Sequence, residues 1–487
     1  MAPKKNDNKS KAAGVKIKKA TVKAKPETKK AVAKKPVVKK AKPMKMVADK
    51  KEIQTAAPSA PRSRAVPQTL RGMKDILPQE QKYWRFINRV AESLAQAYGF
   101  ERIDTPVLEA TSLFTRSVGT QTDVVEKEMF SFQDRGGDNV SLRPEGTASV
   151  VRAYINHGML NLPQPVKMYY IGPMFRYERP QQGRFREHHQ FGVEVFGDNN
   201  PVLDAEVALL AYLFYKEIGI NSTVHINSLG CSECRPRYRE ELINYYRPKR
   251  AHLCDDCKRR MSKNPLRLLD CKNDGCAALK EAAPQIVDCL DDGCKEHLMR
   301  VLEYLDDLMV PYVLDSHLVR GFDYYTKTVF ELMPEDGDSR GALGGGGRYD
   351  DLVEQLGGRP TPACGFGIGM ERAILQMKAQ EIEPKDDTKP DVFVAQLGDN
   401  ARRKAFVLFE ELRNSGIKIS GNFTKNSLKA QLEIANRVGA KYTVILGQQE
   451  VIDGTILVRD MESGMQEIVD YKKAVSELTK KIVKNDK

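Results

Sequence analysis

The sequence contains no uninterrupted apolar run of about 18 residues, the length a helix needs to cross a bilayer, so no membrane span is expected. The basic N-terminus is not followed by the apolar stretch of a secretory signal. Arg is absent before Arg62 and Ser is sparse there, which also argues against an organelle transit peptide. Without a secretory signal, disulfides are the poorer reading of the nine cysteines, and a cytoplasmic location is expected. The glycine run Gly344-Gly345-Gly346-Gly347 lacks a following Gly-Lys-Ser/Thr, so the Walker type of phosphate loop is set aside.

The formal net charge of +13 over 487 residues is unevenly placed. Residues 1–66 hold 21 Lys/Arg and 4 Asp/Glu, whereas the remaining residues hold 57 and 61. All the excess basicity is therefore a tail, and the rest is nearly neutral. Scattered prolines and self-repelling lysines, as in Lys34-Lys35-Pro36-Val37-Val38-Lys39-Lys40, make disorder the expectation for this tail. It reads either as an arm that tracks phosphates or as a solubilising extension. A chain of this length calls for two to four domains.

Apolar spacing over Tyr83 to Leu94, ending at Tyr98-Gly99, predicts a helix, and Phe100 to Leu108 reads as a strand containing Pro106. Strands are expected at Val166–Phe175 and Phe191–Phe196, with a helix from about Leu203 to Ile218. A Cys-rich, charged, mostly helical insertion is expected over 225–311, dividing a core into 67–224 and 312–380. Residues 381–390 read as a linker. Beyond it, alternating strands and helices over 391–487, with a hairpin through Val458, predict an α/β domain with a mostly parallel sheet.

The segment Phe175 to Glu194 is the strongest local signal. It places Arg176, Arg179, Arg184 and Arg186 within eleven residues between two strands. Arg presents a planar fork that holds two phosphate oxygens at once, so a polyphosphate site is one reading. A solvated charged hairpin is the other.

This segment resembles the second signature of the class II aminoacyl-tRNA synthetases, and its Phe-Arg-x-Glu-Arg-Pro-Gln form resembles the histidyl branch. Three further stretches agree in order: Leu142-Arg143-Pro144-Glu145-Gly146-Thr147, Leu318 to Thr326, and Gly365-Phe366-Gly367-Ile368-Gly369-Met370-Glu371-Arg372. The resemblance implies an α+β fold: an antiparallel six-stranded sheet flanked by helices, with a C-terminal anticodon-binding domain. It implies that L-histidine is activated with ATP and Mg²⁺ and transferred to tRNA(His), and that the chain is a homodimer with Thr105-Pro106 near the dimer interface.

Carried over residue by residue, the resemblance makes Arg176, Arg320 and Arg372 catalytic. Arg176 would grip the α-phosphate, Arg184 and Arg372 the outer phosphates, and Arg320 would stand opposite, with Glu178 and His188 also in the ATP site. His188 stands where the family usually has an aromatic that stacks on adenine. Glu145, Thr147 and Gln190 would hold the α-amino group, while Glu194, Tyr324 and Tyr325 would surround the imidazole. A synthetase-like regulator, another class II synthetase and a nucleic-acid-binding protein are the rival readings. The intact signatures oppose the first, the Arg320–Thr326 stretch opposes the second, and the third explains only residues 1–66.

Cys231-x-x-Cys234 and Cys254-x-x-Cys257 are separated by 19 residues, a spacing suited to one structural Zn²⁺ held by four thiolates. The echo between Asp270-Cys271…Cys276 and Asp288-Cys289…Cys294 raises a second paired site.

Overall fold

The computed structural model describes residues 66–119, 122, 124–179, 183–335 and 341–485. All but Val66 of the expected basic tail lies outside them, as do Pro180, Gln181 and Gln182 of the arginine loop. Sixteen strands occur among the described residues, numbered β1 to β16 in chain order.

Eight strands build the main sheet: β1 (Glu101–Arg102), β5 (Val166–Phe175), β6 (Glu187–Phe196), β7 (Ser222–Ser228), β8 (Tyr312–Leu314), β9 (Thr326–Pro334), β10 (Gly344–Arg348) and β11 (Ala363–Gly369). Their order is β1-β5-β6-β11-β10-β9-β7-β8. The inner six pair antiparallel, while β1 and β8 add short parallel edges. The sheet therefore has eight strands rather than the expected six, because edges of two and three residues leave no periodic signal. β1 is what remains of the strand expected over Phe100–Leu108. Pro106 cannot donate to a ladder, and pairing stops after Arg102.

Alternation along the strands separates two cores. Tyr169 packs with helices Gln81–Ala97 and Pro201–Glu217 on one face, while its neighbours Met168 and Tyr170 enter the other. That second face carries helix Thr147–Asn156 and the insertion. Helix Pro201–Glu217 starts cleanly, with the Asn200 side chain accepting the Val202 N–H at 3.1 Å and Pro201 at its first position. A small sheet of β2 (Leu108–Ala110), β3 (Ser131–Gln133) and β4 (Asn139–Leu142), in the order β2-β4-β3, adjoins Thr147–Asn156 through the turn at Glu145.

The insertion is helical as expected, with helices Cys234–Tyr246, Asp255–Lys263, Asp274–Lys280 and Asp292–Asp307. Residues 381–390 carry acids that helix Gln81–Ala97 holds: Lys82 on Glu383 at 2.8 Å, Arg85 on Asp386 at 3.0 Å and Arg89 on Asp387 at 2.8 Å. The C-terminal sheet comprises β12 (Val392–Gln396), β13 (Ile419–Gly421), β14 (Tyr442–Leu446), β15 (Thr455–Asp460) and β16 (Gln466–Asp470), in the order β13-β12-β14-β15-β16. Only β13, β12 and β14 are parallel, so the sheet is mixed and not mostly parallel. Helix Gln448–Asp453 joins β14 to β15 in place of the expected hairpin turn.

One buried ion pair ties the sheet to its helix layer. Arg348 at the end of β10 donates its Nε–H to both oxygens of Asp204, at 3.1 and 3.0 Å, and neither side chain is more than 1% exposed. Arg348→Met leaves an uncompensated buried carboxylate and should cost about 3–5 kcal/mol in urea unfolding. Lys480→Met, which breaks an exposed pair with Glu477, should change stability by less than about 0.5 kcal/mol in the same measurement.

Candidate active site

The site follows from the two-residue period of β6. His188, Gln190, Gly192 and Glu194 all point to one face, and at about 3.4 Å per residue they span roughly 20 Å. A cavity of about 340 Å³ opens over His188 and Gln190. It is also lined by Glu145, Thr147, Arg176, Glu178, Arg184, Arg320, Tyr324, Tyr325 and Arg372. The arginine-rich loop, the Glu145 turn, the 318–326 stretch and the end of β11 are thus brought to one place.

At one end the cavity is cationic. Arg176 is fixed by its Nε–H on the Pro144 carbonyl at 2.8 Å and lies over the Phe322 ring at 5.5 Å. Arg184 pairs with Glu178 at 3.0 Å, and Glu178 reaches Arg176 at 3.9 Å. Arg372 is held by the carbonyls of Gly183 and Ala342. Arg320 comes from the opposite wall, paired with Glu331 and lying over the Tyr325 ring at 5.4 Å. Its Nε–H is buried with no hydrogen-bond partner among the described residues. Arg179 and Arg186 do not line the cavity; Arg186 stacks on Tyr177 at 3.7 Å.

At the other end is a buried carboxyl. Glu194 has no exposed surface and lies behind the cavity wall. Its Oε1 accepts the Thr147 hydroxyl at 2.8 Å and the Tyr170 hydroxyl at 3.3 Å, and its Oε2 accepts the Tyr349 hydroxyl. Burial raises its pKa to about 8, against the three hydroxyls that favour the charged form. Space for it is made by Gly365, its direct partner on β11, where a Cβ would stand 2.1 Å from Glu194 Oε2. Similarly, a Cβ on Gly345 would fall 2.8 Å from Arg320 Nη1 and 2.4 Å from the Phe330 carbonyl. The glycine runs are close-packing devices.

Glu145 is also buried, and its oxygens accept the backbone N–H groups of Thr147 and Ala148 at 2.7 and 2.9 Å, where helix Thr147–Asn156 begins. Burial raises its pKa and those donors oppose the rise. His188 lies in the cavity wall. Burial, then the charges of Arg176, His189 and Arg372, push its pKa down to about 3. It is therefore a neutral ring at physiological pH. Its neighbour His189 is anchored through both backbone N–H and ring to Glu371.

Sequence reasoning missed Tyr170, Tyr349, Glu331 and Glu371. Only Glu371 had a local signal, standing beside Arg372. The tyrosines belong to strands or their ends, where a core role is the ordinary reading.

The two Cys-x-x-Cys pairs do not form one site, which corrects the expected single Zn²⁺ on Cys231, Cys234, Cys254 and Cys257. Cys254 and Cys257 gather with Cys271 and Cys276, whereas Cys231 and Cys234 gather with Asp291 and Cys294. Helix Cys234–Tyr246, about 20 Å long by its rise per residue, carries the chain away from the first pair. The second-site echo is likewise split, and Cys289 joins neither cluster.

An antiparallel sheet with convergent arginines on one face, followed by an α/β domain, is the class II aminoacyl-tRNA synthetase architecture. Residues 72–373 match the family model of histidyl-tRNA synthetase, and residues 391–481 match that of an anticodon binding domain. The histidine--tRNA ligase of Desulforamulus reducens is 47% identical over 406 residues, covering 83% of this chain and 97% of its own. That of Dehalococcoides mccartyi is 47% identical over 416 residues, covering 85% and 100%. The solved apo histidyl-tRNA synthetase of S. aureus aligns with a TM-score of 0.73 at 38% identity, covering 85% of this chain and all of the other. The chain belongs to the histidyl-tRNA synthetase family.

The raised Glu194 pKa has a thermodynamic sign. Between about pH 4.5 and 8 the folded chain keeps a proton that the unfolded chain has lost, so stability falls as pH rises through this window. Glu194→Gln removes that titration. Urea unfolding at pH 5 and pH 8 should show a smaller loss in the variant than in wild type.

Proposed function

We propose that the chain activates L-histidine with ATP to histidyl-adenylate, releasing pyrophosphate, and then transfers histidine to the 3′ end of tRNA(His). The observation that carries this reading is a cavity lined by convergent arginines with a hydroxyl-caged carboxyl just behind its wall.

In the first step an oxygen of the histidine carboxylate forms a bond to the α-phosphorus, and the bond from that phosphorus to the bridging oxygen of pyrophosphate breaks. The attacking carboxylate is already ionised, so no general base is needed. Positioning and fixed positive charge are. Arg176 holds the α-phosphate, and Arg184 and Arg372 hold the outer phosphates. Arg320 meets the charge that grows on the α-phosphate, using the buried Nε–H that has no partner among the described residues. Arg carries five donors, so Arg320 can keep Glu331 while it does so. His188 stacks on the adenine. Magnesium enters with the triphosphate as part of the substrate, and Glu178 is a carboxylate of the cavity that could help hold it. In the second step the terminal ribose hydroxyl of tRNA attacks the carbonyl carbon of the adenylate, and AMP leaves.

Glu145, Thr147 and Gln190 receive the substrate α-ammonium. Glu194 accepts the imidazole N–H and a tyrosine hydroxyl answers the other nitrogen, with Tyr324 and Tyr325 forming the wall. Neutral imidazole has one donor and one acceptor, and this pair matches both. The exposed Leu108 and Phe132 of the β2-β4-β3 sheet are apolar surface for a second copy to cover in a homodimer. They adjoin Thr105, whose carbonyl and hydroxyl Arg143 holds at 2.8 and 2.9 Å. The work is placed in the cytoplasm, within translation, with the tail of residues 1–66 serving as an auxiliary contact to RNA.

Amino-acid-dependent exchange of pyrophosphate into ATP, run with all twenty amino acids, should respond to histidine alone; response to another amino acid defeats the assignment. Glu194→Gln should raise the histidine requirement at least about tenfold, with ATP binding nearly unchanged. Arg320→Ala should still bind histidine but lose about 10²–10³ in adenylate formation.

A further inference from the structure

None of the eight cysteines of the insertion lines the cavity, and their grouping is unexplained by the proposed chemistry. In each of the two clusters the four donor atoms all lie within 4.8 Å of one another. One is Cys254, Cys257, Cys271 and Cys276, with Cys257 and Cys276 buried. The other is Cys231, Cys234, Asp291 and Cys294, with Cys234 and Cys294 buried.

We propose that the insertion is a two-zinc unit, with one ion held by Cys254, Cys257, Cys271 and Cys276 and the other by Cys231, Cys234, Asp291 and Cys294. Four Zn–S bonds of about 2.3 Å in a tetrahedron place sulfurs about 3.8 Å apart. Cys254 and Cys271 are 3.8 Å apart, and Cys231 and Cys234 are 3.5 Å apart. Asp291 Oδ2 takes the thiols of Cys231 and Cys234 at 3.0 and 2.9 Å. Shared coordination sets such a sulfur–oxygen spacing near 3.5 Å, so the carboxylate draws back by about half an ångström on binding. Its other oxygen accepts the Cys294 N–H at 2.7 Å, which orients the group.

Backbone donors already face the sulfurs, as ligating thiolates require. The Asp291 N–H donates to Cys234 Sγ at 3.1 Å and the Cys254 N–H to Cys276 Sγ at 3.3 Å. The setting also calls for staples. The segment between Ser228 and Tyr312 has no strand, and three of its four helices have 13 residues or fewer.

Each cluster steadies an arginine that reaches the backbone of the 320–325 loop. Arg235, the residue after Cys234, donates to the carbonyls of Tyr325 and Asp323. Arg267, in the turn Pro265–Leu268 leading to Cys271, donates to the carbonyl of Arg320 at 3.3 Å. The two metals thus brace both ends of the loop that carries Arg320 and Tyr325. This bracing role rests on the pocket assignment above, whereas the two-metal assignment does not.

The test is elemental analysis of the full chain prepared without chelator. Wild type should hold two zinc ions per chain, Cys271→Ser one, Cys294→Ser one, and Cys289→Ser two. Wild type with one or none, or metal that is lost on dialysis as adventitious ions are, overturns the proposal. Protein loaded with Co²⁺ keeps the test decisive where a serine variant folds poorly. Wild type should show tetrahedral cobalt–thiolate absorption for two ions per chain, and weak octahedral absorption overturns it. For the brace, Arg235→Met should keep two zinc ions and raise the histidine KM roughly tenfold while the ATP KM stays put, the effect of losing the charge-assisted hydrogen bonds to the Tyr325 and Asp323 carbonyls. An unchanged histidine KM sinks the brace and leaves the metal count to be judged on its own result.

Discussion

Taking the Glu194 carboxyl out of water is unfavourable unless hydrogen bonds or a proton answer it, and the site is organised around that requirement. Thr147, Tyr170 and Tyr349 supply hydroxyls, and burial still holds the pKa near 8. The geometry that permits this is a close approach of strands. Glu194 sits opposite Gly365, and any side chain there would strike the carboxyl. The glycines of β10 and β11 therefore make room for the caged carboxyl and for Arg320, although none of them offers a functional group.

The same strand joins specificity to chemistry. In the proposed function, residues at alternate positions of β6 would serve the base, the amino group and the imidazole in turn, so that a rigid backbone fixes the distance between the ring and the phosphate. A site on regular structure is held more tightly than one on loops. Loops carry what must meet charge: Arg176 and Arg184 from one side, Arg320 from the other. The insertion bears on the second of these through Arg235 and Arg267, which places its two cysteine clusters behind the active site and not at random in a surface domain.

The main elements were legible in the sequence because periodicity reports burial. Helix Gln81–Ala97, strands β5 and β6, and the C-terminal β-α alternation all follow from apolar spacing. The short edges β1 and β8 were not legible, since two or three residues carry no period. The arginines and pocket residues came from ordered motifs, and the cavity gathers them except Arg179 and Arg186, which stand outside it, and Glu194, which lies just behind it. Tyr170 and Tyr349 could not be found that way, because their role arises from register between strands. The cysteines fail for a related reason. Spacing along the chain suggested that two pairs share one ion, but a 13-residue helix between them sends each pair to partners 14 to 63 residues away in sequence.

The central claim is that neutral imidazole is read by Glu194 as a carboxylate, although the substrate-free site keeps it mostly protonated. Binding must then expel that proton. Calorimetric titration of the chain with L-histidine at pH 7.5, in buffers of different ionisation enthalpy, counts protons released per histidine bound. A pKa of about 8 predicts release of roughly three-quarters of a proton, abolished in Glu194→Gln. Wild-type binding with no proton release, indistinguishable from the variant, would contradict the account.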